Sequence, residues 1–149
     1  MKIIEYQKEY RDDLIFMVLE AKDKLGRVPS INPDLLDIEN KYFKNGDKFW
    51  IDIDENNRVI GSIAYSSIIN SDEVNLHRLF IKPSLKHQGM GSKLLVFAEE
   101  YLKAIGKTHI RIHLGEPFEQ WFESYHFYPK HGYEFCDETH LIKPLTNSC

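Results

Sequence analysis

The spacing of apolar positions changes several times along this chain, and each change marks an element. "MKIIEY" opens as a short strand. From residue 9 to 25, Leu14, Met17, Val18, Ala21 and Leu25 recur at helical spacing, and Gly26 supplies the stop. "INPDLLDIENKYFKNG" reads as a second helix: Asn32 can cap it, Pro33 suits its first position and Gly46 ends it. The chain then turns strand-like. "KFWIDID" and "RVIGSIAYSS" flank the turn residues "ENN" and predict a hairpin, and "EVNLHRLFIKP" predicts a third long strand closed by Pro83. After "KHQGMGS" the helical period returns with Leu94, Leu95, Ala98, Tyr101, Leu102 and Ile105, and Gly106 caps its end. "THIRIHL" predicts another strand, the aromatic-rich "EPFEQWFESYHFY" a helix ending at Pro129, and "GYEFCDETHLIKPL" a final strand pair. The order β-α-α-β-β-β-α-β-α-β-β predicts a mixed sheet flanked by helices, in one α/β (α+β) domain over residues 1–149.

Composition narrows the classes. Apolar residues make up 42% and charged residues 28%, the balance of an ordinary globular domain. A formal net charge of −4 gives no reason to expect nucleic acid or an anionic membrane as partner. The opening "MKIIEYQKEYRDDL" lacks the apolar centre of a secretory signal, and no apolar run approaches the roughly 18 residues of a membrane span. The two cysteines, Cys136 and Cys149, form no C-x-x-C, so neither a disulfide framework nor a zinc knuckle is indicated. The expectation is a cytoplasmic protein with reduced thiols, with a homodimer allowed.

The glycine pair Gly89 and Gly91 stands between a predicted strand and a predicted helix. A helix start leaves backbone N–H groups without partners at the positive end of its dipole, and glycines let a ligand approach that backbone. This is a site for phosphate, with Lys86 and His87 adding positive charge. A tight turn that needs glycine explains the same spacing. A dinucleotide fingerprint is excluded because its third glycine position is Leu94. A P-loop is excluded because Gly91 is followed by Ser92 and Lys93, with no glycine at 86.

"LFIKPSLKHQGMGSKLL" resembles the acetyl-CoA-binding segment of the GNAT acetyltransferase superfamily, which carries Q/R-x-x-G-x-G/A between a strand and a helix. Here it reads Lys86-His87-Gln88-Gly89-Met90-Gly91, with Lys86 in the place of Arg or Gln. "FYPKHGYEF", residues 127 to 135, resembles the same family's "FYxKxGF" element, and the order of elements agrees. The resemblance implies the GNAT fold with a splayed parallel strand pair, here residues 74 to 82 and 108 to 114. It also implies acetyl-CoA as acyl-donor co-substrate and transfer to a primary amine by direct attack. The acceptor would be a small molecule, an amino-acid derivative or a peptide amine. Backbone N–H groups of Gln88, Gly89, Met90, Gly91 and Ser92 would hold the pyrophosphate. The pantetheine arm would pair like an added strand along Leu79, Phe80 and Ile81. One N–H of that strand can also serve the carbonyl oxygen as charge develops. Tyr128 would protonate the leaving thiolate.

The general base is left open. Relatives often carry Glu in a "VELxRLxV" pattern where this chain has Asn75. Glu73, His77, His113 and Glu116 are the candidates, Glu73 and His77 sharing one strand face with Asn75. Trp121 and Ser124 stand where some relatives carry Asn and Ala. Asp34, Asp37 and Glu39 could help attract a cationic amine. His109 and His113 share a face with Arg111 between them, a weak pattern for a metal. Two competing classes are a GNAT-like module that binds CoA with little chemistry and a nucleotide-phosphate enzyme using the same loop.

Overall fold

The computed structural model describes residues 1–27, 31–115 and 121–145. Seven strands form one sheet in the order β1-β2-β3-β4-β5-β7-β6. They are β1 (Lys2–Glu5), β2 (Phe49–Ile53), β3 (Val59–Ser67), β4 (Glu73–Ile81), β5 (His109–His113), β6 (Glu134–Phe135) and β7 (His140–Pro144). The helices are α1 (Arg11–Lys24), the single turn α2 (Ile38–Lys41), α3 (Met90–Ala104) and α4 (Phe122–Lys130). Every strand neighbour is antiparallel except β4 and β5. The parallel pair follows from α3, the crossover that a parallel connection requires.

Helices cover both faces of the sheet. On one face α3 fully buries Leu94, Leu95, Ala98 and Leu102 against Ile63, Val74, Ile110 and their neighbours. On the other, α1 buries Leu14, Met17, Val18 and Ala21 against Phe49, Ile51 and Phe80. Each such leucine contributes about 1.5–3 kcal/mol of burial free energy. Covered on both faces, β2 is buried throughout and β3 from Val59 to Tyr65, so neither reads as a simple alternation. Among the described residues no helix is long and apolar enough to cross a membrane.

Three sequence expectations change. The second helix is broken into 3-10 turns at Pro33–Leu36 and Phe43–Asn45 around α2. Asp37 (φ −151, ψ 57) and Tyr42 (φ −120, ψ −64) leave helical geometry. The break coincides with three side-chain bonds to Asp34, one from Tyr42 within the segment and two from Arg78 on β4, ties that a regular helix would not make. Asn32 does not cap; its Oδ1 accepts a 2.7 Å bond from Lys22 Nζ instead. The predicted start of α4, residues 116–120, lies outside the described residues, and Pro129 sits in its last turn rather than beyond it.

Strand β4 carries a bulge. Ser62 pairs with Phe80 and Ala64 with His77, so Ile63 faces two residues, Arg78 and Leu79. Arg78 takes a left-handed backbone (φ 57), and its carbonyl accepts a 2.7 Å bond from Ser62 Oγ. The bulge shifts the alternation. Before it, Val74 and Leu76 face the α3 side; after it, Leu79 and Ile81 do, and Phe80 packs on the α1 side.

Candidate active site

β4 and β5 pair only at Glu73–His109, Val74–Ile110 and Asn75–Arg111. Beyond Asn75, β5 continues along β7 alone, and the two parallel strands diverge. A cleft of about 650 Å³ opens between them, walled by Leu76 to Ile81 on one side and Ile112 to Leu114 on the other. The loop before α3 and the buried side of α4 close its ends. A strand edge released in this way presents unpaired N–H and C=O groups, which an extended amide ligand can match.

The loop is shaped by backbone. His87 (φ 64) and Gly89 (φ 80) both adopt the left-handed conformation, and Gly89 is the N-terminal cap of the 15-residue α3. Nothing lies within 4 Å of where a Cβ on Gly89 would stand, so glycine serves the backbone angle and leaves open space above the helix start. A Cβ on Gly91 would lie 3.5 Å from the Phe127 ring of α4. Ser92 Oγ sits 3.0 Å from His131 Nε2, and the Lys86 ammonium pairs with the Glu123 carboxylate. Loop and α4 are thus fastened together at three points. Lys86, His87, Gly89, Met90, Gly91 and Ser92 all line the cleft, as do Leu79, Phe80 and Ile81. Gln88 is exposed and contributes nothing to the wall.

Of the proton-transfer candidates, Tyr128 is buried on α4, with the Phe127 and Tyr133 rings at 5.2 and 5.6 Å. Burial pushes its phenol above the ordinary value, against the opposing charge of Arg27, so it keeps its proton at neutral pH. His77 is half-buried in the cleft wall, its Nε2 2.8 Å from Ser66 Oγ and its ring edge-on to Tyr42. Burial, then the Arg78 charge, hold its pKa below the ordinary 6.5, which leaves it neutral. His113 stands at the exposed end of β5, stacked at 4.4 Å on His140.

Glu73 sits elsewhere. It lies at the closed end of the strand pair, outside the cleft wall, bonded to Arg111 Nε at 2.5 Å and 3.7 Å from His109 Nδ1. The Arg111 hydrogen bond holds its carboxyl below the usual range, which opposes service as a base. Glu116 lies outside the described residues. Asp34 is not available to an incoming amine: Arg78 grips it with two bonds of 3.0 and 2.9 Å, and Tyr42 donates a third at 2.6 Å. Burial raises its carboxyl, and the Arg78 and Tyr42 bonds more than reverse that. Asp37 is occupied by the Asn40 amide at 2.8 Å.

Two residues here escaped the sequence reading. Arg78 was legible in principle, as a charge inside an otherwise apolar strand end. Arg27 gave no signal; it follows the helix stop like any surface cation, yet it lies over the Trp121 ring in the cleft.

Comparison with known proteins matches this geometry. The description "Acetyltransferase (GNAT) family" fits residues 9–133, and the chain belongs to that family. No curated protein is a significant match. Among solved structures, a GNAT-family acetyltransferase from Staphylococcus aureus Mu50 superposes with a TM-score of 0.85 at 22% identity, covering 97% of this chain and 99% of its own. The PaiA N-acetyltransferase from Thermoplasma acidophilum, in complex with coenzyme A, gives 0.71 at 23% identity, with 95% of each chain covered. An aminoglycoside 6'-N-acetyltransferase complexed with coenzyme A gives 0.75 at 14% identity, covering 100% and 99%. Family membership makes the protein an acetyl-CoA-dependent acyltransferase. Its own residues fit that co-substrate: an open strand edge for the amides, and a glycine-capped helix start with Lys86 and His87 beside it for the phosphates.

Proposed function

We propose that the protein transfers the acetyl group of acetyl-CoA to a primary amine by direct attack, with Tyr128 as general acid and His77 as general base. One observation carries the reading. The released edge of β4, the glycine-capped start of α3 and the buried, protonated Tyr128 line a single cleft. When bound, acetyl-CoA supplies an activated thioester carbonyl.

The chain's own residues divide the remaining work. N–H groups from Gly89 to Ser92 hold the pyrophosphate, and the edge from Leu79 to Ile81 pairs with the pantetheine amides. A β4 N–H donates to the carbonyl oxygen as negative charge develops there. His77, neutral in its half-buried position, takes a proton from the acceptor ammonium, directly or through one water. When Nε2–H is donated to Ser66 Oγ, Nδ1 carries the lone pair that does so. Tyr128 gives its proton to the departing sulfur. His77 is preferred to His113, which stands at the exposed mouth, and to Glu73, which its ion pairs hold away from the cleft. The acceptor class is a primary amine on a small molecule, an amino-acid derivative or a peptide. The aminoglycoside enzyme among the fold relatives supports an amine acceptor.

The test is thiol release from acetyl-CoA across a panel of such amines. Amine-dependent release above background is expected with at least one of them. Thiol release that no amine accelerates would overturn the reading.

A further inference from the structure

Arg78 is one of the two residues that face Ile63 at the β4 bulge, and it has the left-handed backbone. A bulge re-aims the side chains it carries. Here the guanidinium meets Asp34, donating from Nε at 3.0 Å and from Nη2 at 2.9 Å. Those bonds use one edge of a planar group that carries N–H donors on every side. Nη1 makes no hydrogen bond to any described residue, and the side chain keeps 28% exposure. A second fork, Nη1 with the outer N–H of Nη2, is left open.

That fork stands beside the proposed base. His77 precedes Arg78, and both line the cleft, whereas Asp34 does not. Tyr42 joins them in space. Its hydroxyl bonds Asp34 Oδ2, the oxygen that also accepts from Arg78 Nε, and its ring is edge-on to His77 with centroids 6.5 Å apart. The cluster therefore holds Arg78 in place before a ligand arrives, which lowers the ordering cost of binding. The charge of the wall agrees. Among the described residues Arg27, Arg78, Lys86 and Lys130 line the cleft, and the one carboxylate that does, Glu123, is held by Lys86 of the phosphate loop. A polycationic acceptor needs carboxylates in the wall; this wall complements negative charge.

We propose that Arg78 is a specificity-determining residue and that the acceptor amine carries a carboxylate, as an amino acid does, which docks on the open fork of Arg78 while the amine faces His77. A carboxylate matches a guanidinium fork with two parallel bonds. A phosphate would bring a second negative charge next to Asp34, which is already bonded to the same group. The inference narrows the acceptor and rests on the acetyl-transfer reading.

The test is kcat/KM for thiol release from acetyl-CoA by the full-length protein. L-leucine is set against isoamylamine and L-lysine against cadaverine, pairs that differ by the α-carboxylate, and O-phosphoethanolamine is run beside them. In the parent the amino acid of at least one pair is expected to be the better substrate. In Arg78→Gln its advantage over the partner amine is expected to fall about 10- to 100-fold, the size of a hydrogen bond to a charged group. This ratio cancels the basicity of the amines and any loss that both substrates share, so a merely structural role would not move it. Arg78→Lys keeps a cation for Asp34 but lacks the fork. It is expected to melt close to the parent and to lose most of the same advantage, which keeps the test decisive should Arg78→Gln fold poorly. A parent in which neither amino acid outperforms its partner, or which prefers O-phosphoethanolamine to both, would overturn the inference and leave acetyl transfer in place. So would a ratio that the folded variants do not shift. Thiol release that no amine accelerates would remove the acetyl-transfer reading, and this inference with it.

Discussion

The two ends of the cleft are built from different material. The end proposed to hold the phosphates is backbone: a left-handed Gly89, the first N–H groups of α3 and an unpaired strand edge. The other end, where the proposed function puts the acceptor, is side chain, held by pairs far apart in sequence. Asp34 meets Arg78 across 44 residues, and His77 meets Ser66 across 11. A backbone site tolerates change in the side chains around it, because its donors are present whatever the residue. A side-chain site is sensitive to each member, because a buried partner left alone keeps its full desolvation cost. The first end suits a co-substrate common to a family; the second suits an acceptor particular to one protein.

Four changes break or sharpen this contrast, the largest effect first. Tyr128→Phe should lower kcat by about 10² to 10⁴ while calorimetry finds acetyl-CoA affinity within a few-fold of the parent. Gly89→Val should remove acetyl-CoA binding by about 100-fold or more. A β-branched residue at φ 80 carries roughly 1–3 kcal/mol of strain, so the helix start must shift to relieve it, and circular dichroism should still report a folded domain. Asp34→Asn should leave acetyl-CoA affinity nearly intact but lower stability by about 2 kcal/mol in urea titration, because Arg78 loses its charged partner. Asp34 has a depressed carboxyl pKa. Its contribution is therefore present above the unfolded carboxyl value and lost as pH falls through the lower folded value, an acid limb that the variant should lack. The smallest effect is a displacement. The acid limb of kcat/KM should lie below pH 6.5, since His77 must be neutral to act and its pKa is lowered. A limb at or above that value would point to another base.

The same contrast explains what the sequence made legible. Strand and helix order, the crossover and the glycine loop all depend on local periodicity and single-residue conformational needs, and all are present as expected. The broken segment from Pro33 to Asn45 was not legible, because its helical spacing of Leu35, Ile38 and Tyr42 is real, while the break goes with side-chain ties of Asp34 to Tyr42 and to distant Arg78. The β4 bulge was hidden for a related reason: "NLHRLFI" keeps an acceptable alternation in either phase, and Ser62 on another strand holds the bulge at Arg78. Glu73 and His77 shared a predicted face, and they do share it. Sequence could not tell that the strands part between them, leaving one in an ion pair and the other in the cleft.

The most direct measurement is calorimetric titration of the purified protein with acetyl-CoA, run beside ATP and NAD. The cleft as described binds acetyl-CoA selectively, with one site per chain and with Gly89→Val abolishing the heat. A folded sample that gives no acetyl-CoA heat, or that prefers ATP, would contradict the assignment of the β4 edge and the α3 start as the co-substrate site.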